Sequence, residues 1–319
     1  MKSHRARGTL VCVFFFVGTI SLFAQGSLNP PAFPAPDPAL NNLGQPIPNM
    51  RTLTQIEPRR PISSLPLTIS SSGSYYLTGN LQFGAASGHA ITINASNVSL
   101  DLMGFTLSST GSVTGNAIHL NTGLSNIEVK NGVIAGNTTV TASSGNYTIT
   151  PAGFSNGIFA LAGPSASNCQ FSHLRIGGCR AAGVDAGVQA IVQHISATQN
   201  GGPGIIASSG RVLACTSNGN GNSGIVAELG SIAQSTANAN AGDGFSAAGG
   251  SVSHCSANNN GADGIEAPSG SITNSVARGN GNNGISAGSG VIAFSRASDN
   301  DLNDIIGVGS TRTGNYPSP

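Results

Sequence analysis

The chain has 319 residues, of which only 8 % are charged; it carries 45 glycines, no tryptophan and a formal net charge of +1. No cluster of Lys and Arg is present to neutralise phosphates, which excludes nucleic acid and an anionic membrane surface as partners. A hydrophobic content of 39 % also sets it apart from disordered chains, which combine low hydrophobicity with high charge.

Lys2, Arg5 and Arg7 precede an apolar run over residues 10–24, the arrangement of a secretory signal. The run is shorter than the roughly 20 residues a membrane span needs. Cleavage after Ala24 is therefore expected, although Leu22 is bulkier than the residue usual at its place. No later segment could cross a bilayer, so the mature chain is expected to lack a transmembrane anchor and to be extracellular or on the cell surface. Residues 25–66 form a proline-rich spacer and entry segment that holds ten of the 16 prolines. Proline fixes φ and supplies no donor, so an extended spacer is expected, with the ordered domain beginning at Leu67.

Over residues 67–306 short apolar alternations recur. Ala90-Ile91, Ala117-Ile118, Gly157-Ile158 and Gly183-Val184 look like equivalent strand starts at irregular spacing. A Thr- and Ser-rich insertion over residues 136–155, containing Tyr147 and Phe154, is expected to project as a hairpin or loop. Repeat proteins often place binding functions in such insertions.

From Ile205 onward the spacing becomes regular. Ile205, Ile225, Phe245, Ile265, Ile285 and Ile305 recur every 20 residues, in phase with rows of Val or Ile from Val212, of Ala from Ala207 and of Gly from Gly204 and Gly210. Asn200, Asn220, Asn240, Asn260, Asn280 and Asn300 form a further row. Within one unit, Gly264-Ile265-Glu266-Ala267 alternates as a strand with Ile265 and Ala267 inward. Gly270 turns the chain, Ile272 points inward from a second strand, and Ser275 and Ala277 suit a tightly packed third side. Asp243-Gly244, Asp263-Gly264 and Asn283-Gly284 offer turn chemistry and positive φ.

Stacking such units yields parallel sheets with right-handed crossovers. The expected fold is all-β, a right-handed parallel β-helix (solenoid) of about ten coils with about 20 residues per coil in the carboxyl half, followed by a tail over residues 307–319. The Asn row is expected to form a ladder of amides from coil to coil; the alternative is a row of solvated turn residues. A leucine-rich repeat is excluded because residues 201–300 contain only Leu213 and Leu229, and neither a five- nor a nine-residue period is present.

Cys12 lies in the leader. Cys215 and Cys255 sit at equivalent positions two coils apart, about 9.6 Å at the strand spacing, too far for a disulfide that wants Cα atoms within about 7 Å. They read as small buried side chains. Pairing of Cys169 with Cys179 stays open.

The stretch Leu67-Thr-Ile-Ser-Ser-Ser-Gly-Ser-Tyr-Tyr-Leu-Thr-Gly-Asn-Leu81, with Ala90-Ile-Thr-Ile93 and Val98-Ser-Leu-Asp-Leu102, resembles the opening coils of secreted bacterial right-handed β-helix repeat proteins of the pectate-lyase-like superfamily. The resemblance covers residues 67–306. It implies a fold, and it leaves the activity open among lyases, hydrolases, adhesins and uncharacterised exoproteins. Members that cleave polyuronates generally use clustered Asp or Glu with a nearby Arg or Lys, since proton abstraction and leaving-group protonation need positioned charge. Here Asp243 and Asp263 share a repeat position in adjacent coils and Glu266 follows. They could make a weak calcium site, although turn-forming Asp before Gly explains them better. The polygalacturonase-like pattern fails: no Asp-Asp pair occurs, and Arg175-Ile176-Gly177 lacks the following lysine. His173, His194 and His254 share one corner with Gln234 and Asn274, which reads as turn hydrogen bonding and not as a metal site.

No catalytic residue and no metal is therefore expected, and no cofactor other than that calcium possibility. Asp243, Asp263, Glu266 and Tyr147 are the candidate binding residues. The expected function is that of an exported, non-catalytic structural or carbohydrate-binding protein whose partner, by the resemblance, is a polysaccharide or cell-envelope glycan. A polysaccharide lyase or glycoside hydrolase with an atypical site is the alternative.

Overall fold

The computed structural model describes residues 59–143, 146–160, 167–307, 311–313 and 316–317, all within one compact unit, Leu53–Pro319. The expected leader and the spacer as far as residue 58 lie outside the described residues.

Each regular coil makes three short strands, as in Ile205–Ile206, Arg211–Leu213 and Thr216–Asn218. Strands of the first kind stack into an 11-stranded parallel sheet from Leu67–Ile69 to Ile305–Ile306, here called the first face. Its register joins Ile205 to Ile225, then Phe245, Ile265, Ile285 and Ile305, so residues 20 apart lie over one another. The second and third faces belong to one sheet folded along a corner. In Gln170–Gly177 and Ile191–Thr198 a single strand runs through both faces, bent at His173 and His194. The expected histidine corner is thus a row of one-residue bends in the left-handed region, continued by Ala214, Gln234, His254, Asn274 and Phe294 with φ between 49° and 54°.

The side chains that alternate inward along these strands form one continuous core. Ile205, Ala207, Val212, Ile225, Phe245, Ile265 and Ile272 are all fully buried. At about 25 cal/mol per Å² of apolar area, each Ile or Val so buried stabilises the stack by about 1.5–3 kcal/mol.

The asparagine row is a ladder. Asn240 Nδ2 donates to Asn260 Oδ1 at 3.0 Å and to the Ser217 carbonyl at 2.9 Å. Its Oδ1 accepts from the Asn220 backbone N at 3.1 Å and from Asn220 Nδ2 at 2.8 Å. Both amide protons and both lone pairs are therefore satisfied, and the side chain is completely buried. The ladder starts where Asn200 Oδ1 accepts from Cys179 N and ends where Asn300 Nδ2 donates to Asp304 Oδ1.

Four sequence expectations change. First, the repeating glycines of Asp243-Gly244, Asp263-Gly264 and Asn283-Gly284 do not serve positive φ, because none of the three is in the left-handed region. They serve close approach: a methyl group at Gly264 would lie 2.6 Å from Asn280 Nδ2 and from the Gly284 carbonyl, and one at Gly250 would lie 2.2 Å from the Gly230 carbonyl. Second, pairing starts ahead of Leu67. Arg60–Ile62 pairs with Gly73–Leu77, and Ile62 is buried; Pro61 is tolerated because this is an edge strand. Third, Thr311–Thr313 and Tyr316–Pro317, in the expected tail, pair with the strands at Val291–Ala293 and Arg296–Ser298. Fourth, the insertion forms an antiparallel hairpin, Thr139–Ser143 with Asn146–Thr150, which folds back over the coils instead of projecting. Methyl groups at Gly221 and Gly261 would meet Ile149 Cδ1 at 2.5 Å and Tyr147 Cε2 at 3.2 Å.

Cys169, Cys179, Cys215 and Cys255 are free and buried, so Cys169 and Cys179 are not joined. Burial pushes the Cys179 thiol up to about 12 and those of Cys215 and Cys255 to about 11. Such thiols are inert packing groups.

Candidate functional site

Three places among the described residues bear on the choice of site. The first is the corner where each third strand returns to the next first-face strand, and it holds the acidic residues singled out from the sequence. Asp243 Oδ1 accepts from Asp263 N at 3.0 Å, and Asp263 Oδ1 accepts from Asn283 N and Nδ2 at 2.9 and 3.1 Å. Asn283 Oδ1 in turn accepts from Asn303 Nδ2. This is a second, outer ladder in which carboxylates take amide places. Glu266, one coil above Ser246 on the first face, faces Asp243. Burial first, and then the neighbouring charges of Glu266 and Asp263, push the Asp243 carboxyl up to about 6, against the pull of the Asp263 backbone bond. Among the described residues no group of three His, Cys, Asp or Glu side chains is arranged to hold a metal ion. Tyr147 stands over Gly261 on the same corner, half-buried, and burial raises its hydroxyl.

The second place was missed in the sequence. On the first face of the early coils, the rings of His89 and His119 stack at 3.9 Å with their planes 3° apart, and Phe159 continues the stack at 5.6 Å from His119. Asp185 follows Phe159 in register. Burial lowers both imidazoles, and the His89 ring lowers His119 further, while an Asn121 hydrogen bond acts the other way; burial raises Asp185. His89 Nδ1 accepts from Asn116 N at 3.0 Å. Asn116 Oδ1 already accepts from Asn156 N and Nδ2, so its Nδ2 faces His119 Nδ1 at 3.1 Å and donates to it. With Nδ1 accepting, the neutral form of each ring carries its proton on Nε2. Parallel rings also cannot chelate one ion, because a metal lies in the plane of each imidazole that binds it. The only sequence signal was the His-Ala-Ile and Ile-His-Leu context of irregular coils, where no fixed period aligns the two histidines.

The third place is a shallow groove of about 760 Å³ along the corner between the first and second faces, running from Gln189 to Val291. Its floor is the glycine row from Gly210 to Gly290, and its sides present Ser231, Ser251 and Ser271 together with the exposed apolar side chains of Ile191, Leu229 and Val291. Arg211 is the one charged residue lining it, and no acid or imidazole enters it. None of the residues nominated from the sequence is here. Hydroxyl repetition was visible there, but concavity was not.

No protein-family model matches the chain, and no curated protein does. Solved structures share its architecture, among them two with TM-scores above 0.5. The A-module of mannuronan C-5 epimerase AlgE4 from Azotobacter vinelandii superposes with a TM-score of 0.56 at 14 % identity, over 77 % of this chain and 87 % of that one. The Dettilon tailspike protein superposes with a TM-score of 0.54 at 13 % identity, over 81 % of this chain and 58 % of the tailspike. Parallel sheets stacked coil on coil, together with these likenesses, give the chain the right-handed parallel β-helix fold of pectate-lyase-like proteins.

Proposed function

We propose that the protein is an exported, non-catalytic β-helix that binds a linear polysaccharide along the groove between its first and second faces. The observation that carries this is the groove's lining. On three successive coils Ser231, Ser251 and Ser271 offer the same hydroxyl, about 4.8 Å apart, beside a row of glycines that adds no side chain to the groove. A ladder of identical polar contacts suits a polymer of repeating sugar units better than a compact small molecule, which would use only part of it. Acid–base cleavage or epimerisation needs a titrating group within reach of the reacting atom, and the groove contains none. The two imidazoles lie elsewhere, with their basic nitrogens occupied. One of the two structural neighbours is named for acting on a polysaccharide, and the basic-then-apolar amino terminus is in keeping with export.

The test is calorimetric titration of the purified protein with soluble neutral and acidic linear polysaccharides, with product ends assayed in parallel. Binding without new reducing or unsaturated ends is expected. Ser251→Trp, which fills the groove, should weaken binding at least tenfold without moving the melting temperature. New chain ends would sink the non-catalytic part of the proposal, and undiminished binding by Ser251→Trp would sink the groove.

A further inference from the structure

The inserted hairpin creates a second concavity on the third face. Where the chain leaves Ala135 for the hairpin, a recess of about 510 Å³ opens between the hairpin's first residues and the coils beside it. The backbones are drawn close together beside it: a methyl group at Gly136 would lie 1.9 Å from the Gly178 carbonyl, and Gly178 itself is left-handed at φ 70°. Arg175 is the only charged residue in the lining. Its partners in register are Val133 and Ser196, neither of which can neutralise it. Among the described residues no carboxylate lies within ion-pair reach of Arg175. The side chains of Ser196, Thr198 and Gln199 line the same recess, and none makes a side-chain hydrogen bond among the described residues.

In a chain with 8 % charged residues, an exposed, unpaired guanidinium beside uncommitted donors at the edge of a recess favours negative charge. A guanidinium presents donors in a planar fork that matches a two-oxygen acid group, and hydroxyl and amide neighbours supply further donors. We infer that this recess is a second glycan contact, which takes the acid group, carboxylate or sulfate, of an anionic polysaccharide. It rests on the view of the protein as a polysaccharide binder and adds a charged contact separate from the hydroxyl groove.

The experiment titrates the full chain with dextran, polygalacturonate and dextran sulfate, each at low and high salt, using wild type, Arg175→Gln, Arg175→Lys and Ser251→Trp. Arg175→Gln should weaken at least one anionic polymer tenfold or more and leave dextran unchanged. Arg175→Lys should recover only part of the loss, because an ammonium supplies charge without the fork. The anionic polymer that loses more identifies the acid group. If wild type binds neither anionic polymer, or if Arg175→Gln binds both as wild type does, the inference is overturned. It is also overturned if dextran weakens equally in Arg175→Gln. Loss of dextran binding in Ser251→Trp with anionic binding kept supports two separate contacts. Intact dextran binding in Ser251→Trp, alongside an Arg175 effect on the anionic polymer, removes the groove and leaves the recess standing.

Discussion

Up to Gly177 the interior is filled by Leu100, Leu102, Leu107 and Leu120 and by the rings of Phe83, Phe154 and Phe171, all buried. From Ile205 to Ala297 it is filled mostly by one Ile, Val or Phe from each of two faces, with small residues such as Ala, Ser and Cys and a buried asparagine in each coil. Coils with large side chains tolerate changes of length: the first-face strands beginning at Ile91, Ile118, Ile158 and Val184 are unevenly spaced and still pair in register. Coils with small side chains do not, because their backbones approach through glycine and their polar interior is satisfied only when the next asparagine arrives in phase. The regular half is consequently uniform outside as well as inside and presents one long groove, whereas the irregular half carries the hairpin, the imidazole stack and the arginine recess.

The sharpest way to break the comparison is to add one side chain to each half. Gly250→Val in the regular half would drive a side chain into the Gly230 carbonyl. No side-chain rotation relieves a clash with backbone, so the loss should be about 3 kcal/mol or more. Gly111→Val, in the irregular half, meets nothing within 4 Å and should stay within about 0.5 kcal/mol. Urea unfolding midpoints of the two variants compare them directly. Equal effects would mean that close backbone approach does not govern the regular coils.

The next contrast concerns amides. Asn240→Leu should cost about 2 kcal/mol, since it takes the acceptor from the buried Asn220 backbone N–H and side-chain amide and one of two donors from Asn260 Oδ1. Asn121→Leu, at the exposed Asn121–Asn94 pair, should cost well under 1 kcal/mol. Melting temperatures decide. A small effect at Asn240 would return the inner row to the status of ordinary turn residues.

This contrast also marks what could be read from the sequence. Rows of 20 give the coil, its inward residues and the asparagine ladder, because a strictly periodic backbone turns sequence distance directly into spatial distance. By the same logic Asp243 and Asp263 stand on adjacent coils, where they are rungs of an outer ladder. Where the period breaks it has no purchase. His89 and His119 are stacked by coils of unequal length, and the recess at Arg175 exists only because the hairpin folds back. The glycine rows were visible with the wrong cause attached, since a glycine needed for φ and one needed for space look alike in a sequence. Pro61 concealed the first strand for a related reason: a missing donor matters only where a neighbour needs it.

The smallest effect separates the halves by pH. In the regular half Asp243 is pushed up to about 6 from an ordinary 3.8. Between those values the folded chain holds a proton that the unfolded chain releases. The stability from this site is therefore complete below about pH 4 and is lost as pH rises through about 6. Asp243 is only partly buried, so solvent screening cuts the effect to about 1 kcal/mol. In the irregular half His89 and His119 are lowered from 6.5; there the unfolded chain takes up protons first, and stability is lost as pH falls below 6.5. The opposed slopes meet between pH 4 and 6.5, and single substitutions can part them. Asp243→Asn, which keeps an amide in the outer ladder beside Glu266, should remove the loss on raising pH from 4 to 6. His119→Gln should flatten the loss on lowering pH below 6.5. Urea midpoints of wild type and both variants across pH 4 to 8 provide the measurement. An Asp243→Asn variant whose midpoints run parallel to wild type throughout would mean that the carboxyl beside Glu266 is already ionised, and the outer ladder would then hold two charges side by side.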